Sequence, residues 1–261
     1  MAIARIIENR RITSYIFRML LEEERISKEA MPGQFVNLRV GDGYYPLLRR
    51  PMSVHYTDGD RFAILYNVKG IGTSLLSTYR EGDKIDVLGP LGKPFGLPPS
   101  SENLYLIAGG MGIAPLYFLY REAGGFLIMG ARNKDGIFPI TECGKGKREE
   151  GRGWRKDEHE TRNTGFQVVT EDGSIGKKGL VTDYLPDVSD GSTLVACGPI
   201  PMLEKVKAFY FHREVTCILS LEARMGCGYG VCLSCAIKTK DGYKYVCKDG
   251  PAFSAEDIEF D

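Results

Sequence analysis

Four cysteines near the C-terminus carry the strongest chemical signal in this sequence. Cys227, Cys232 and Cys235 form a C-x4-C-x2-C run, and Cys247 follows after eleven residues. Three thiolates on one loop and a fourth from elsewhere are a donor set for a [2Fe–2S] cluster. Gly226, Gly228 and Gly230 let backbone N–H groups approach the sulfurs, where such hydrogen bonds tune the potential. A structural zinc site with four cysteine ligands is the competing reading. Zinc sites usually carry two short cysteine hooks, whereas here the fourth cysteine stands alone. The chain has seven cysteines in all, at 143, 197, 217, 227, 232, 235 and 247. Residues 1–13, MAIARIIENRRIT, contain no continuous apolar run of the kind that opens a secretory signal. Crowded thiols in such a chain are read as metal ligands of a cytoplasmic protein, not as disulfides.

Three further motifs suit phosphates or a nicotinamide. Ala108-Gly109-Gly110-Met111-Gly112-Ile113-Ala114-Pro115 lies between an apolar run and a helical pattern. Glycines there allow a pyrophosphate to approach backbone amides, although tight strand–helix packing explains them equally well. Ala196-Cys197-Gly198-Pro199-Ile200-Pro201-Met202 occupies a similar junction. Strand ends of this kind line the ligand crevice of a doubly wound sheet, and Cys197 there is either a nicotinamide neighbour or a buried free thiol. In Arg49-Arg50-Pro51-Met52-Ser53, Arg50 suits a phosphate and Ser53 can donate to it. Gly70-Ile71-Gly72-Thr73-Ser74 offers a second turn with hydroxyls.

The elements that must position these residues differ along the chain. Residues 1–95 read as β-rich, with ILYNV at 64–68 and KIDVLG at 84–89 as strands. Turn signals at 31–33, 41–43, 58–60 and 81–83 separate such runs and predict an antiparallel barrel or sandwich. From residue 103 the rhythm changes. NLYLIAGG, FLIMGA, FQVVT and STLVACG read as strands, with MGIAPLYFLYREAG and PMLEKVKAFYFH as helices. That alternation predicts an α/β unit with a parallel sheet. Residues 220–261 form a small cysteine-rich lobe. Residues 142–165 interrupt the second unit with dense charge of both signs and one large apolar residue, Trp154. This composition predicts a solvated, mobile insertion.

Composition narrows the function classes. The 261 residues are 43% hydrophobic and 26% charged, which excludes disorder as the main state. Lys+Arg and Asp+Glu both number 34, so no overall basic field exists to hold a nucleic acid. The longest uncharged stretch, Asn103 to Tyr120, is interrupted by glycines and Pro115 and reads as a buried strand and helix, not a membrane span. The histidines at 55, 159 and 212 form no evident cluster.

Together and in this order, RPMS, LYNVKGIGT, GPLGKPF, AGGMGIAP and CGPIPM resemble the ferredoxin–NADP reductase superfamily. The C-terminal LEARMGCGYGVCLSCAIKT and YVCKDGPAFSAEDI narrow the resemblance to electron-transfer subunits of class 1B dihydroorotate dehydrogenases. It covers nearly the whole chain except 142–165. It implies an FAD-binding antiparallel barrel at 1–95, an NAD-binding α/β domain at 96–219 and a [2Fe–2S] lobe at 220–261. By the same resemblance Arg50, Pro51, Met52, Ser53, Leu65, Tyr66, Asn67, Gly72 and Thr73 would bind FAD. Gly89-Pro90-Leu91-Gly92 would mark the passage between domains. Gly109, Gly110 and Gly112 would face the NAD pyrophosphate. Cys197, Gly198 and Pro199 would flank the nicotinamide, with Cys197 the candidate catalytic residue. Cys227, Cys232, Cys235 and Cys247 would hold the cluster. Met52 stands where the superfamily often has Tyr, and Asn67 where relatives of the subunit often have Arg.

The resemblance implies a partner, an FMN-containing catalytic subunit that oxidises dihydroorotate to orotate in pyrimidine biosynthesis. It also implies a heterotetramer of two subunits of each kind. Electrons would pass through [2Fe–2S] and FAD to NAD+. Alternatives are the small flavin subunit of an NAD(P)H–ferredoxin oxidoreductase or glutamate-synthase-like complex, an oxygenase reductase, and a non-enzymatic zinc-knuckle interaction module. Relatives of the first kind often have Asp where Cys227 stands. Oxygenase reductases have a longer gap before the fourth cysteine. Arg132, after FLIMGA, is a candidate for a 2′-phosphate, so NAD and NADP are not separated by the sequence.

Overall fold

The computed structural model describes residues 1–41, 43–96, 103–139 and 165–260. The charged segment read as a solvated insertion lies outside the described residues up to Gly165, where a strand begins.

Among the described residues, β1 (Ala2–Arg11), β2 (Ile16–Glu22), β3 (Phe35–Arg39), β4 (Arg50–Asp58), β5 (Arg61–Asn67) and β6 (Lys84–Leu91) close a barrel. Their order is β1-β2-β5-β4-β3-β6, and β6 pairs back on β1. Every pairing in it is antiparallel. Alternation sets which side chains enter: Val36 and Leu38 of β3 and Ile85 and Val87 of β6 are buried in its core. The Asp58-Gly59-Asp60 signal is a two-residue hairpin loop, with Asp58 opposite Arg61 and Gly59 at φ +61°. α1 (Glu24–Glu29) lies before β3, and α2 (Ile71–Leu76) follows β5.

The second layer is a sheet of β7 (Leu104–Gly109), β8 (Phe126–Ala131), β9 (Gly165–Thr170), β10 (Lys177–Lys178), β11 (Thr193–Cys197) and β12 (Thr216–Ser220). These six are parallel, with α3 (Ile113–Ala123) after β7 and α4 (Ile200–Tyr210) after β11. All six residues of β7 are buried, as expected of a central strand covered on both faces. The strand order reverses between β7 and β11, with β8 to β10 laid down on one side and β12 on the other, which makes their carboxyl ends a topological switch point.

The C-terminal lobe does not stand apart. After β13 (Ala236–Thr239), β14 (Gly242–Tyr245) and α5 (Val246–Asp249), the chain forms β15 (Ala252–Ser254), which pairs antiparallel with β12 at the sheet edge. Cys235 and Cys247 share a core with Ile107, Leu203 and Leu219 of the sheet layer. The sheet read from sequence as parallel therefore has one antiparallel edge, supplied by the lobe.

The barrel docks on the sheet layer through β4 and α3. His55 of β4 is fully buried and its Nδ1 lies 2.9 Å from the Ala114 carbonyl oxygen. Its ring stacks on Tyr117 at 4.7 Å and meets Phe138 edge-on at 4.9 Å. One apolar core runs from the barrel into α3 without interruption. Among the described residues no helix is long and apolar enough to cross a membrane.

Burial, with Arg18 and Arg121 nearby, holds the His55 imidazole at about 3, against an ordinary value of 6.5. The folded chain therefore binds fewer protons than the unfolded chain between those values. Its contribution to stability is complete above about pH 6.5 and falls as pH drops toward 3. Between about pH 7 and pH 5 this one group removes about 2 kcal/mol of stability. Urea unfolding at the two pH values is expected to show a smaller acid loss in His55→Phe than in the wild type. An equal loss in both contradicts the assignment.

Candidate functional site

A cleft opens where the barrel meets the switch point. One wall is Phe35 of β3, Pro51, Met52 and Ser53 of β4, and Leu65, Tyr66 and Asn67 of β5. The other is Met111, Ala114, Cys197, Ser220 and Glu222, with Met225 and Pro251 from the lobe. The wall is largely apolar with a few polar groups, which suits a planar heterocycle with a polar edge. Tyr66 is held rigidly: it stacks on Phe17 at 5.5 Å and donates its hydroxyl to Asn9 Oδ1 at 2.8 Å. Asn67 Oδ1 is buried with no hydrogen-bond partner among the described residues. It is an acceptor available to a ligand, since leaving it unpaired carries a desolvation penalty.

Of the phosphate-suited residues, Thr73 lines this cleft, and Arg50 precedes the lining residue Pro51 on β4. Arg50 folds back so that Nη1 donates to the Leu48 carbonyl at 2.6 Å. Its guanidinium passes so close over Gly72 that an added Cβ would displace it. Thr73 lines the cleft, and its Oγ1 accepts the N–H groups of Lys69 at 2.9 Å and Gly70 at 3.2 Å. That hydroxyl holds the turn into α2.

The glycine-rich turn after β7 divides its work. A Cβ at Gly112 would collide with the Cys197 carbonyl, and one at Gly109 with the Met202 sulfur. Gly198 in turn packs on Met202 and the Gly109 Cα. These three glycines bring the two strand ends together, with Pro199 at the start of α4. Gly110, at φ +54°, faces open space and is the glycine of the turn after β7 with room for a ligand.

Register aligns the ends of three parallel strands. Ala108 of β7, Cys197 of β11 and Ser220 of β12 stand side by side. Burial pushes the Cys197 thiol up to about 12, and Glu222 adds to the rise, against a hydrogen bond from Ser220. Cys197 is therefore a neutral thiol at physiological pH. Sequence reasoning missed Ser220 and Glu222. Their position at the carboxyl end of a parallel strand beside the switch point was the signal that could have found them.

The cluster cysteines fall into two pairs. Cys235 and Cys247 are buried with their sulfurs 3.3 Å apart. Cys227 and Cys232 exchange contacts: each backbone N–H donates to the other's sulfur, at 3.3 and 3.4 Å. The loop turns its amides inward. Tyr229 and Val231 N–H donate to Cys227 Sγ at 3.4 and 3.3 Å, and Gly230 N–H to Cys247 Sγ at 3.1 Å. Left-handed backbone at Gly228, Gly230 and Leu233 makes this possible. Among the described residues no three His, Cys, Asp or Glu side chains form a single-ion site. Two thiol pairs linked by an amide are the donor set of a binuclear cluster, so the residues fit that group.

The thiols differ in acidity. Ser234 and surrounding amides lower exposed Cys232 to about 6. Burial pushes Cys227 up, but the amides of Cys232, Tyr229 and Val231 outweigh it and hold that thiol below its ordinary value. Burial and the neighbouring Cys235 raise Cys247 to about 12.

A family profile described as the iron-sulfur cluster binding domain of dihydroorotate dehydrogenase B matches residues 222–259. The chain is 38% identical to the dihydroorotate dehydrogenase B (NAD(+)) electron transfer subunit of Bacillus velezensis, over 96% of this chain and 95% of that one. It is 36% identical to the subunit of the same name from Fusobacterium nucleatum, over 97% and 96%. Among solved structures, an NADH-dependent reduced ferredoxin–NADP oxidoreductase superposes with a TM-score of 0.78 at 29% identity, covering 99% of this chain and 90% of that one. Phthalate dioxygenase reductase, at 17% identity and a TM-score of 0.62 over 94% and 93%, shares the fold.

In the cluster-free chain, the exposed Cys232 thiolate is expected to react first with iodoacetamide. Its rate should rise as pH increases through about 6, while buried Cys197 stays unmodified. Peptide mapping after brief labelling checks this; first labelling at Cys197 contradicts it.

Proposed function

This chain belongs to the family of dihydroorotate dehydrogenase B electron-transfer subunits, and on that premise we propose how its residues divide the work. The protein is an NAD-linked oxidoreductase subunit that carries electrons from a dihydroorotate-oxidising, FMN-containing catalytic subunit to NAD+, in pyrimidine biosynthesis. When bound, FAD exchanges a hydride with the nicotinamide and single electrons with the [2Fe–2S] cluster. The chain's own residues bind, orient and seclude these groups.

Pro51, Met52, Ser53, Leu65 and Tyr66 form the flavin wall of the cleft, and the free Asn67 acceptor offers a polar contact. Arg50, over Gly72, faces the phosphates. Gly110 gives the dinucleotide room beside the β7 end. Neutral Cys197, with Ser220 and Glu222, borders the nicotinamide position without placing a charged sulfur there. Cys227, Cys232, Cys235 and Cys247 hold the cluster, whose loop amides stabilise negative charge on the sulfurs. The domain division at 95 and 219 describes this labour, although the lobe shares the second sheet.

One observation carries the reading: the flavin-suited cleft and the two-pair thiol loop are built against each other in one chain, with Met225 and Pro251 of the lobe in the cleft wall. The relatives at 36–38% identity support the dihydroorotate system over a ferredoxin–NADP oxidoreductase or glutamate-synthase-like complex. Tyr229, Val231 and Leu233 of the cluster loop are 55%, 69% and 50% exposed, an apolar surface suited to the catalytic subunit. Two subunits of each kind form the assembly in this reading. A cytoplasmic location accords with thiols kept reduced for iron.

Anaerobic addition of dihydroorotate to the co-purified complex is expected to bleach the flavin and iron–sulfur absorption, and NAD+ to restore it. Cofactors that NADH reduces but dihydroorotate does not would move the partner to another redox complex. Val231→Glu should leave the isolated subunit's spectrum intact and weaken co-purification with the catalytic subunit at least tenfold, as expected of a buried charge costing more than about 1.4 kcal/mol. Undiminished association places the interface elsewhere.

A further inference from the structure

β3 presents its two faces to two environments. Val36 and Leu38 enter the barrel core, whereas Phe35 lines the cleft and joins the core shared with the lobe. Asn37, on the same face as Phe35, is only 1% exposed. Its Nδ2 donates to the carbonyl oxygen of Cys227 at 3.1 Å. A polar side chain on a barrel's outer wall is ordinarily solvated; here the cluster loop covers it. The approach is tight, because a Cβ added at Gly228 would collide with Asn37 Nδ2.

The other end of the same amide is unsatisfied. Asn37 Oδ1 is buried with no hydrogen-bond partner among the described residues. Such an acceptor carries a desolvation cost that an apolar side chain at this position would avoid. Packing alone therefore does not account for asparagine, whereas the bond from Nδ2 does.

That bond acts on one peptide of the ligand loop. The amides of Tyr229, Val231 and Cys232 point at Cys227 Sγ. The Cys227 carbonyl points the other way, toward β3, where Asn37 holds it. The strand is braced at the same residue: Arg49 Nη1 donates to the Asn37 carbonyl oxygen at 3.3 Å, and Arg49 Nη2 pairs with Asp86 at 2.6 Å.

We propose that Asn37 is a positioning residue for the iron–sulfur cluster, anchoring the Cys227 peptide to the flavin barrel. β3 then holds the flavin wall, through Phe35, and the first cluster ligand, through Asn37, at a separation set by strand geometry. Same-face neighbours along a strand are about 7 Å apart. The inference rests on the reading that the four cysteines hold the cluster.

The test uses the full chain loaded with both cofactors. Asn37→Leu keeps the branching and removes the donor. Three quantities are measured: cluster loss to an iron chelator by visible absorption, the midpoint potential of the cluster, and FAD content with Tm. Expected are cluster loss several-fold faster than in the wild type and a displaced cluster midpoint, with FAD content and Tm retained. Asn37→His, which restores an N–H donor, should recover part of the cluster lifetime. An unchanged lifetime and midpoint in Asn37→Leu overturns the proposal. Joint loss of FAD and cluster with a lowered Tm also overturns it, because that marks a packing role. Where Asn37→Leu does not fold, Asn37→Asp, equal in size and lacking the donor, is judged by the same criteria; failure of both to fold assigns Asn37 to packing. A wild-type chain that takes up no [2Fe–2S] spectrum would instead overturn the underlying reading.

Discussion

The clamp of β4 onto α3 is the contact on which the rest of the molecule depends. The cleft is built between two units. One wall is barrel, the other is the row of strand ends at the switch point, and they face each other because an apolar core passes between the units without a break. At the centre of that clamp a neutral His55 is enclosed by Tyr56, Tyr117 and Phe138. Aromatic rings in this arrangement contribute large buried area and specific geometry, so the two walls keep one spacing. A flavin and a nicotinamide that exchange a hydride need that constancy, since a small displacement of reacting atoms costs much of the rate.

The lobe is fixed by the same logic from another side. β15 completes the sheet edge, the Lys93 N–H bonds the Gly250 carbonyl at 2.6 Å, and the Leu221 N–H bonds the Pro251 carbonyl at 2.9 Å. With the Asn37 bond to Cys227, these contacts tie the cysteine loop to the barrel as well as to the sheet. The buried cysteines of the lobe share their core with the sheet layer. The lobe borrows stability from both neighbours, and in doing so brings the thiols beside the cleft. The outward side of the loop keeps Tyr229, Val231 and Leu233 in solvent.

Most of the architecture was legible in the residues because the signals were periodic. Buried runs such as LYLIAG and FLIMGA sit in β7 and β8, and the turn at 58–60 forms its hairpin. The residues Pro51 to Ser53 and Leu65 to Asn67 stand together in one wall of the cleft. The glycines were less transparent. Gly109 and Gly112 serve contact between strand ends, Gly110 open space, and nothing local distinguishes them. Ser220 and Glu222 carried only a positional clue, and Asn37 carried none, because its partner lies 190 residues away.

The sequence by itself determined the chemistry: thiolate spacing names the cluster, and local periodicity names barrel and sheet, because both depend on residues near one another in the chain. Tertiary structure alone decided how those chemistries meet. It sorted four cysteines into two pairs, gave the lobe's last strand to the parallel sheet, and set a buried asparagine against the Cys227 carbonyl. Each of these is a contact between distant segments whose free energy comes from desolvation and packing on folding. No short stretch of sequence holds both sides of such a contact.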